Sequence, residues 1–398
     1  MMRIYKYFGV FLLFAVIFSY VSSAAASDNM QSVASFEGGK RYRSGKIHVL
    51  DLHGNYRQMG RQYGHLLKSE INILYKSAIL DYFQKQQKLS ADTMQKTANA
   101  LYQSYPQRFK DILSGMAETS GLSLDEQVML NALELFGSLS GCSAIIAWGS
   151  YTGSQSLIAG RNYDWFEKYL EFARSLTVTI FHPDSGVPNA IITFAGVMYA
   201  TTGINAGGIF LELNNGLPSG GGLSYANRIP AMVSLLSALN DYRSLKEVDA
   251  FFNTTRTDFA FIINTADSSQ GVSYEWAPFE HRRHSGNGEG LLVSTNHFTD
   301  PSWGIVMQDN VGFQTLLRRK NLLDLAQKNK GKINIEIMKD LLDTSIGQGG
   351  ATWPLQGHIQ TVYQIIAMPE KMHLWLKIPG FQDWTPVELG RFFAKASK

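Results

Sequence analysis

The sequence predicts a layered α+β fold with sheets inside and helices outside, and three observations point to it. From Gly54 to about Leu139, apolar residues recur at three- and four-residue intervals, the period of helices with one buried face. After Gly141 the character switches to short alternating runs rich in β-branched residues. Helical patterns then interrupt those runs at about 228–240, 245–253, 313–328 and 334–343.

Taken in order, residues 1–26 read as an export signal. Arg3 and Lys6 precede an apolar stretch from Phe8 to Val21, and Ser22 to Ala26 offer an A-x-A cleavage site. The expectation is a periplasmic or secreted protein, with an uncleaved anchor as the alternative. The stretch falls short of the ~18–20 residues of a spanning helix, so no stable membrane span is expected once the signal is removed. Lys46–Leu50 is the one strand expected before Gly54. One apolar stripe runs from Arg57 through Ile71, Leu74, Ala78 and Phe83, and a second from Thr93 to about Met116. Ser123-Leu124-Asp125-Glu126 has the form of a capping box ahead of a third helix. Strands are then expected at 143–148, 156–161, 175–181, 190–194, 208–213, 258–264, 272–276, 291–294, 361–368 and 372–378. The Gly-rich stretches 219–222 and 286–290 read as loops.

Charge narrows the function classes. The 398 residues carry 36 basic and 33 acidic side chains, and loss of the signal leaves 34 against 33. Without a Lys/Arg run, nucleic acid is not an expected partner. At 45% apolar and 17% charged, the chain is composed as a well-buried globular protein.

Cys142 is the only cysteine, which excludes an internal disulfide and any Cys-rich metal site. Alone, such a thiol is most simply a small buried apolar residue. Its surroundings suggest more. Tyr151-Thr152-Gly153-Ser154 is a good turn between two strand-like runs, so 142–148 and 156–163 should pair as a hairpin. With Thr152 and Gly153 at its centre, Ala144 opposes Arg161, Ser143 opposes Asn162 and Cys142 opposes Tyr163. That brings Arg161 and Asp164 within reach of the thiol. A guanidinium beside a thiol favours the thiolate; the plainer reading is an i,i+3 surface pair. Gly141, unless it is only a helix C-cap, leaves the preceding carbonyl unhindered for attack by Cys142. Hydrolysis of the resulting thioester would free Cys142 as a new N-terminus, whose α-amine can serve its own thiol as general base.

Several motifs now follow one another in order: Gly141-Cys142-Ser143, Gly160-Arg161-Asn162-Tyr163-Asp164, Gly203 to Gly208 running on to Asn214-Asn215, and Ser294-Thr295-Asn296-His297. Together with Gly54 to Gly64 upstream, the set resembles the N-terminal-nucleophile (Ntn) amide hydrolases. The resemblance is to the penicillin acyltransferase-like branch (peptidase family C45), with choloylglycine hydrolases, penicillin V acylases and acid ceramidase-like enzymes as relatives, and it spans roughly residues 45–380. It implies a four-layer αββα sandwich preceded by a mostly helical pro-segment. It also implies autocatalytic cleavage between Gly141 and Cys142. The expected parts are a signal (1–26), a pro-segment that stays associated as the small chain (27–141) and a catalytic domain (142–398). By motif position Cys142 is the nucleophile, Asp164 holds its α-amine, Arg161 stands beside the thiol and Asn296 helps form an oxyanion hole. The second oxyanion Asn falls on Asn214 in one register and Asn215 in another. The role of Arg318 or Arg319 is left open, because the usual spacing is not reproduced.

The resulting expectation is an exported, self-processing hydrolase or acyltransferase of small N-acyl amides, with no cofactor and no metal, and with a homo-oligomer left open. Tyr199, Phe166, Phe172, Met198 and Leu217 are candidates to line an acyl pocket, each equally a core residue. A competing reading pairs Cys142 with His297 in a thiol peptidase without self-cleavage, although the papain-type signature is absent. No Gly-x-Ser-x-Gly, His-Glu-x-x-His or P-loop occurs. A third reading is an exported sugar- or peptide-binding module using Trp148, Trp165, Trp276 and Trp303, which are more readily core residues.

Overall fold

The computed structural model describes residues 30–137, 141–220, 228–307 and 312–394. The expected signal, and residues 221–222 of one Gly-rich stretch, lie outside them. Residues 31–398 form one compact unit.

Two sheets build it. The larger has ten strands: β1 (Ser32–Phe36), β2 (Gly39–Ser44), β3 (Ile47–Gly54), β6 (Leu176–Pro183), β7 (Asn189–Phe194), β8 (Thr202–Asn205), β9 (Phe210–Asn215), β10 (Phe261–Ala266), β11 (Gly271–Trp276) and β12 (His281–His284), in that spatial order. The smaller has six, in the order β13 (Leu291–Ser294), β4 (Gly141–Ala147), β5 (Ile158–Phe166), β14 (Ile359–Met368), β15 (His373–Ile378) and β16 (Gln382–Glu388). Helices Tyr56–Leu66 and Ala231–Asp241 pack on the outer face of the larger sheet. Helices Thr315–Lys328 and Ile335–Asp343 pack on the outer face of the smaller one, over a core that includes Ile145, Ala147, Val293, Leu322 and Leu342. The inner faces meet each other, as the β5-to-β9 ion pair described below requires. The architecture is therefore helix, sheet, sheet, helix, as expected. Among the described residues, no helix is long and apolar enough to cross a membrane.

Several boundaries differ from expectation for identifiable reasons. The region before Gly54 holds three strands, not one. Glu37 and Gly38 both adopt positive φ (47° and 88°), the geometry of a two-residue I′ hairpin turn. The Thr93–Met116 stripe is two helices, Ala91–Ser104 and Gln107–Ser120, because Pro106 cannot continue the first and holds Tyr105 extended. The stripe from Arg57 to Phe83 breaks at Leu67 and continues through a π-helical segment, Tyr75–Gln86. Gly141 is not a helix cap but the first residue of β4. Strand β16 lies beyond the last expected strand, and its Pro386 is tolerated because β16 is an edge strand. Strands β8 and β12 are only four residues long, and β12 is entirely His and Arg.

The compositional switch at 141/142 is not a seam in space. Strand β3 from before it pairs with β6 from after it, the one parallel pairing among the described strands.

Candidate active site

The β4–β5 hairpin has the expected register: Ala144 opposes Arg161, Ser143 opposes Asn162, Cys142 opposes Tyr163, and Gly141 opposes Asp164. Strand alternation then sorts the side chains. Cys142, Ala144, Arg161 and Tyr163 face the larger sheet, while Ser143, Asn162 and Asp164 face the helices of the smaller one. Arg161 and Asp164, three positions apart, thus lie on opposite faces and do not pair with each other.

Arg161 is fully buried. Its Nη2 lies 3.5 Å from the Cys142 sulfur. Its Nε is 3.1 Å from a carboxylate oxygen of Glu212 on β9. The remaining donors go to the carbonyls of Thr201 and Leu213 and to the Thr202 hydroxyl. Burial pushes the Cys142 thiol up, and the adjacent guanidinium pulls it back. Burial likewise pushes Glu212 up to about 7, against the attraction of Arg161 and a hydrogen bond from Asn264.

On the helix side, Arg318 is equally buried and ties four groups together. It donates to the Cys142 carbonyl (2.8 Å), to Asn296 Oδ1 (2.6 Å) and to the Phe313 carbonyl (2.6 Å), and it stands 3.5 Å from Asp164. Asp164 also accepts from Thr361 at 2.7 Å. Burial pushes its carboxyl up to about 7, opposed by Arg318, Thr361 and Arg161. Arg319 points elsewhere. It lines a cavity of about 170 Å³ with His297, Glu275 and His284.

Asn296 sits just past β13. Its Oδ1 accepts from the Cys142 backbone N–H at 3.0 Å as well as from Arg318, and its Nδ2 donates to the Asn215 carbonyl at 2.9 Å. Two donors on Oδ1 fix which way the amide points. Asn214 shares the inner face of β9 with Glu212, and its Nδ2 donates to Ser294 Oγ at 3.1 Å. The Asn215 side chain instead caps a local turn by accepting from Leu217 N at 2.7 Å.

His297 is not joined to Cys142 by a hydrogen bond among the described residues. Its Nδ1 is held by Thr315 (2.9 Å) and Thr295 (3.2 Å), and burial pushes it down to about 4. Trp165 and Trp276 are buried in the interior, and Trp148 and Trp303 are half-buried. Of the expected acyl-pocket residues, Tyr199, Phe172 and Met198 are buried, and Phe166 and Leu217 half-buried.

The bond between Gly141 and Cys142 is crowded on one side. A Cβ added at Gly141 would stand 2.9 Å from the Phe313 ring, so only glycine fits. Phe313 and Gln314 both hold positive φ (62° and 46°), an uncommon and strained pairing for residues with side chains.

The spacing of motifs gave no signal for Glu212, Asn264 or Thr361, while Ser294, inside a motif, and Arg318 stood without a role. All five meet the site through contacts between elements far apart in the chain.

No family model matches this sequence. Protein dcd1A of Dictyostelium discoideum is 25% identical over 339 residues, covering 75% of this chain and 74% of that protein. Protein dcd1B of the same organism is 26% identical over 201 residues, covering 43% and 39%. Among solved structures, an N-acylethanolamine-hydrolyzing acid amidase ortholog from Caenorhabditis elegans is 20% identical with a TM-score of 0.42, covering 57% of this chain and 93% of that one. A mutant form of conjugated bile acid hydrolase from Clostridium perfringens is 14% identical with a TM-score of 0.46, covering 63% and 93%. Penicillin V acylase from Agrobacterium tumefaciens is 11% identical with a TM-score of 0.42, covering 63% and 87%.

Proposed function

We propose that this chain is an exported, self-processing N-terminal-cysteine hydrolase of the Ntn group its motifs resemble, acting on the carbon–nitrogen bond of small N-acyl amides. The observation that carries the reading is the double grip on Cys142: Arg161 Nη2 lies 3.5 Å from its sulfur and Asn296 Oδ1 lies 3.0 Å from its backbone nitrogen. A structural cysteine needs an acceptor for its backbone N–H but no guanidinium at its sulfur, whereas both contacts serve a nucleophile that becomes its own base.

Maturation starts with the Cys142 sulfur adding to the Gly141 carbonyl carbon. The Gly141–Cys142 bond breaks as the nitrogen takes up the thiol proton, leaving a thioester. Water hydrolyses it to the Gly141 carboxylate and a free thiol. The new α-amine keeps Asn296 Oδ1 as its acceptor, and Asp164 acts on it through Arg318. With an ordinary pKa of ~7.7–8.0, that amine takes the thiol proton in the catalytic cycle and returns it to the leaving amine. Arg161 steadies the thiolate. Asn214 and Asn296 each carry a second amide hydrogen for the oxyanion, a contribution of about 2.7–4 kcal/mol for one such donor. Water, or an acceptor amine if the enzyme is a transferase, then resolves the acyl thioester. These steps need no cofactor.

The competing thiol-peptidase reading lacks its defining contact: among the described residues no hydrogen bond joins His297 to Cys142, and its Nδ1 is engaged by Thr315 and Thr295. A panel of N-acyl amides of graded chain length tests the proposal. Turnover should vanish in Cys142→Ala, while His297→Ala should lose less than the ~100-fold that removal of a general base brings. A His297→Ala variant as dead as Cys142→Ala would favour the peptidase.

A further inference from the structure

Strands β3 and β6 run parallel and in register, with His53 beside His182 and Asp51 beside Ile180. Because Asp51 and His53 are two residues apart, they share a face with His182. It is the inner face, since the Tyr56–Leu66 helix covers the other. We propose that Asp51, His53 and His182 form a binding site for a divalent transition-metal ion of the zinc class, separate from the cysteine centre and independent of the function proposed above.

Convergence is the first argument. Asp51 Oδ1 lies 3.1 Å from His53 Nε2 and 2.9 Å from His182 Nε2, and one ligand atom from each residue falls within 4.8 Å of the other two. Ligands at ~2.0–2.2 Å from a tetrahedral zinc stand only slightly farther apart.

The second argument is what these short contacts lack. Asp51 is 4% exposed and His182 8%, yet Asp51 Oδ1 and both ring nitrogens of His182 have no hydrogen-bond partner among the described residues. Buried polar atoms are almost always satisfied. Asp51 Oδ1 and His182 Nε2, which approach to 2.9 Å without hydrogen-bond geometry, suit a shared cation better than each other.

Chemistry and access select the ion. Two imidazoles with one carboxylate favour zinc and its neighbours over calcium or magnesium, which prefer all-oxygen sites. The His53 and His182 rings are stacked, with centroids 4.3 Å apart and planes within 4°. Both lone pairs reach one ion when the His53 ring turns, and its side chain is 44% exposed and has room to do so. The same exposure leaves a further coordination position open to water. His182 is backed by the edge of Phe393, 6.3 Å away. Motif reading misses such a site because its third ligand lies far along the chain, on a neighbouring strand.

The test uses the full chain, stripped with a chelator and then given zinc chloride. After gel filtration, wild type and Cys142→Ala should each retain one zinc per chain, and zinc should raise their unfolding temperatures. His53→Ala, at a half-exposed position, should keep the metal-free unfolding temperature, and both it and the isosteric Asp51→Asn should lose the bound zinc and the zinc-dependent rise. If wild type retains no zinc, the three residues are only a histidine–carboxylate ion pair and the proposal falls. It falls equally if His53→Ala binds as much zinc as wild type, or if Cys142→Ala binds none.

Discussion

The backbone nitrogen of Cys142 donates to the side-chain oxygen of Asn296 at 3.0 Å, while the same oxygen accepts from Arg318 at 2.6 Å. In the intact chain this bond orients a peptide group. In the proposed mature enzyme it orients an amine, with the lone pair left free for the thiol proton. In the proposed mechanism Asn296 is therefore as much a positioning residue as an oxyanion donor, an assignment that motif position alone does not suggest.

Arg318 should be the most costly single residue to truncate at this centre. It is fully buried beside a fully buried Asp164, and Arg318→Met leaves that carboxyl with its Thr361 hydrogen bond but without its charged partner. Breaking such a pair typically costs about 3–5 kcal/mol. Urea unfolding, carried out in a Cys142→Ala background so that cleavage does not intervene, should read a loss in that range. A loss below about 1 kcal/mol, the scale of an exposed pair, would contradict the geometry.

Gly141→Ala should slow self-cleavage sharply, because the added methyl would meet the Phe313 ring. Removing that ring leaves only the Phe313 Cβ, 3.3 Å from the added methyl, and so relieves the crowding. The double variant Gly141→Ala/Phe313→Ala should cleave faster than Gly141→Ala alone, as followed by gel electrophoresis of freshly refolded protein. Equal rates would mean that the alanine acts on the chemistry of the carbonyl and not through crowding.

Much of this centre was legible in the sequence. The β4–β5 connection is longer than the expected turn, running from Trp148 to Leu157 through a 3-10 turn at Gly149–Tyr151, but it is centred on Thr152 and Gly153 as expected, and the register alone puts Arg161 on the side of the thiol. Alternation should also have separated Arg161 from Asp164, since an odd spacing on a strand reverses the face. What could not be read was the partner of each. Asp164 finds Arg318, and Arg161 finds Glu212, only because a helix and the second sheet close over opposite faces of β5. The Glu37-Gly38 pair carries a hairpin-turn signal in the sequence; β12, with no apolar alternation, carries none.

Glu212 gives a pH signature. Its ordinary value is 4.5 and burial raises it to about 7, so ionisation is harder in the folded chain than in the unfolded one. The sign follows from linkage: stability owed to the neutral form is whole below about pH 4.5 and is lost as pH rises through 7. Glu212→Gln cannot ionise. Its unfolding temperature minus that of wild type should therefore increase from pH 4.5 to pH 8. A difference that stays flat, or shrinks, would mean that Arg161 holds Glu212 ionised throughout.

The most direct test of the central claim is the intact mass and N-terminal sequence of the purified, active protein. Self-cleavage predicts a fragment of 257 residues beginning at Cys142, with Cys142→Ala remaining in one piece. Full turnover by a chain whose Gly141–Cys142 bond is unbroken would contradict it.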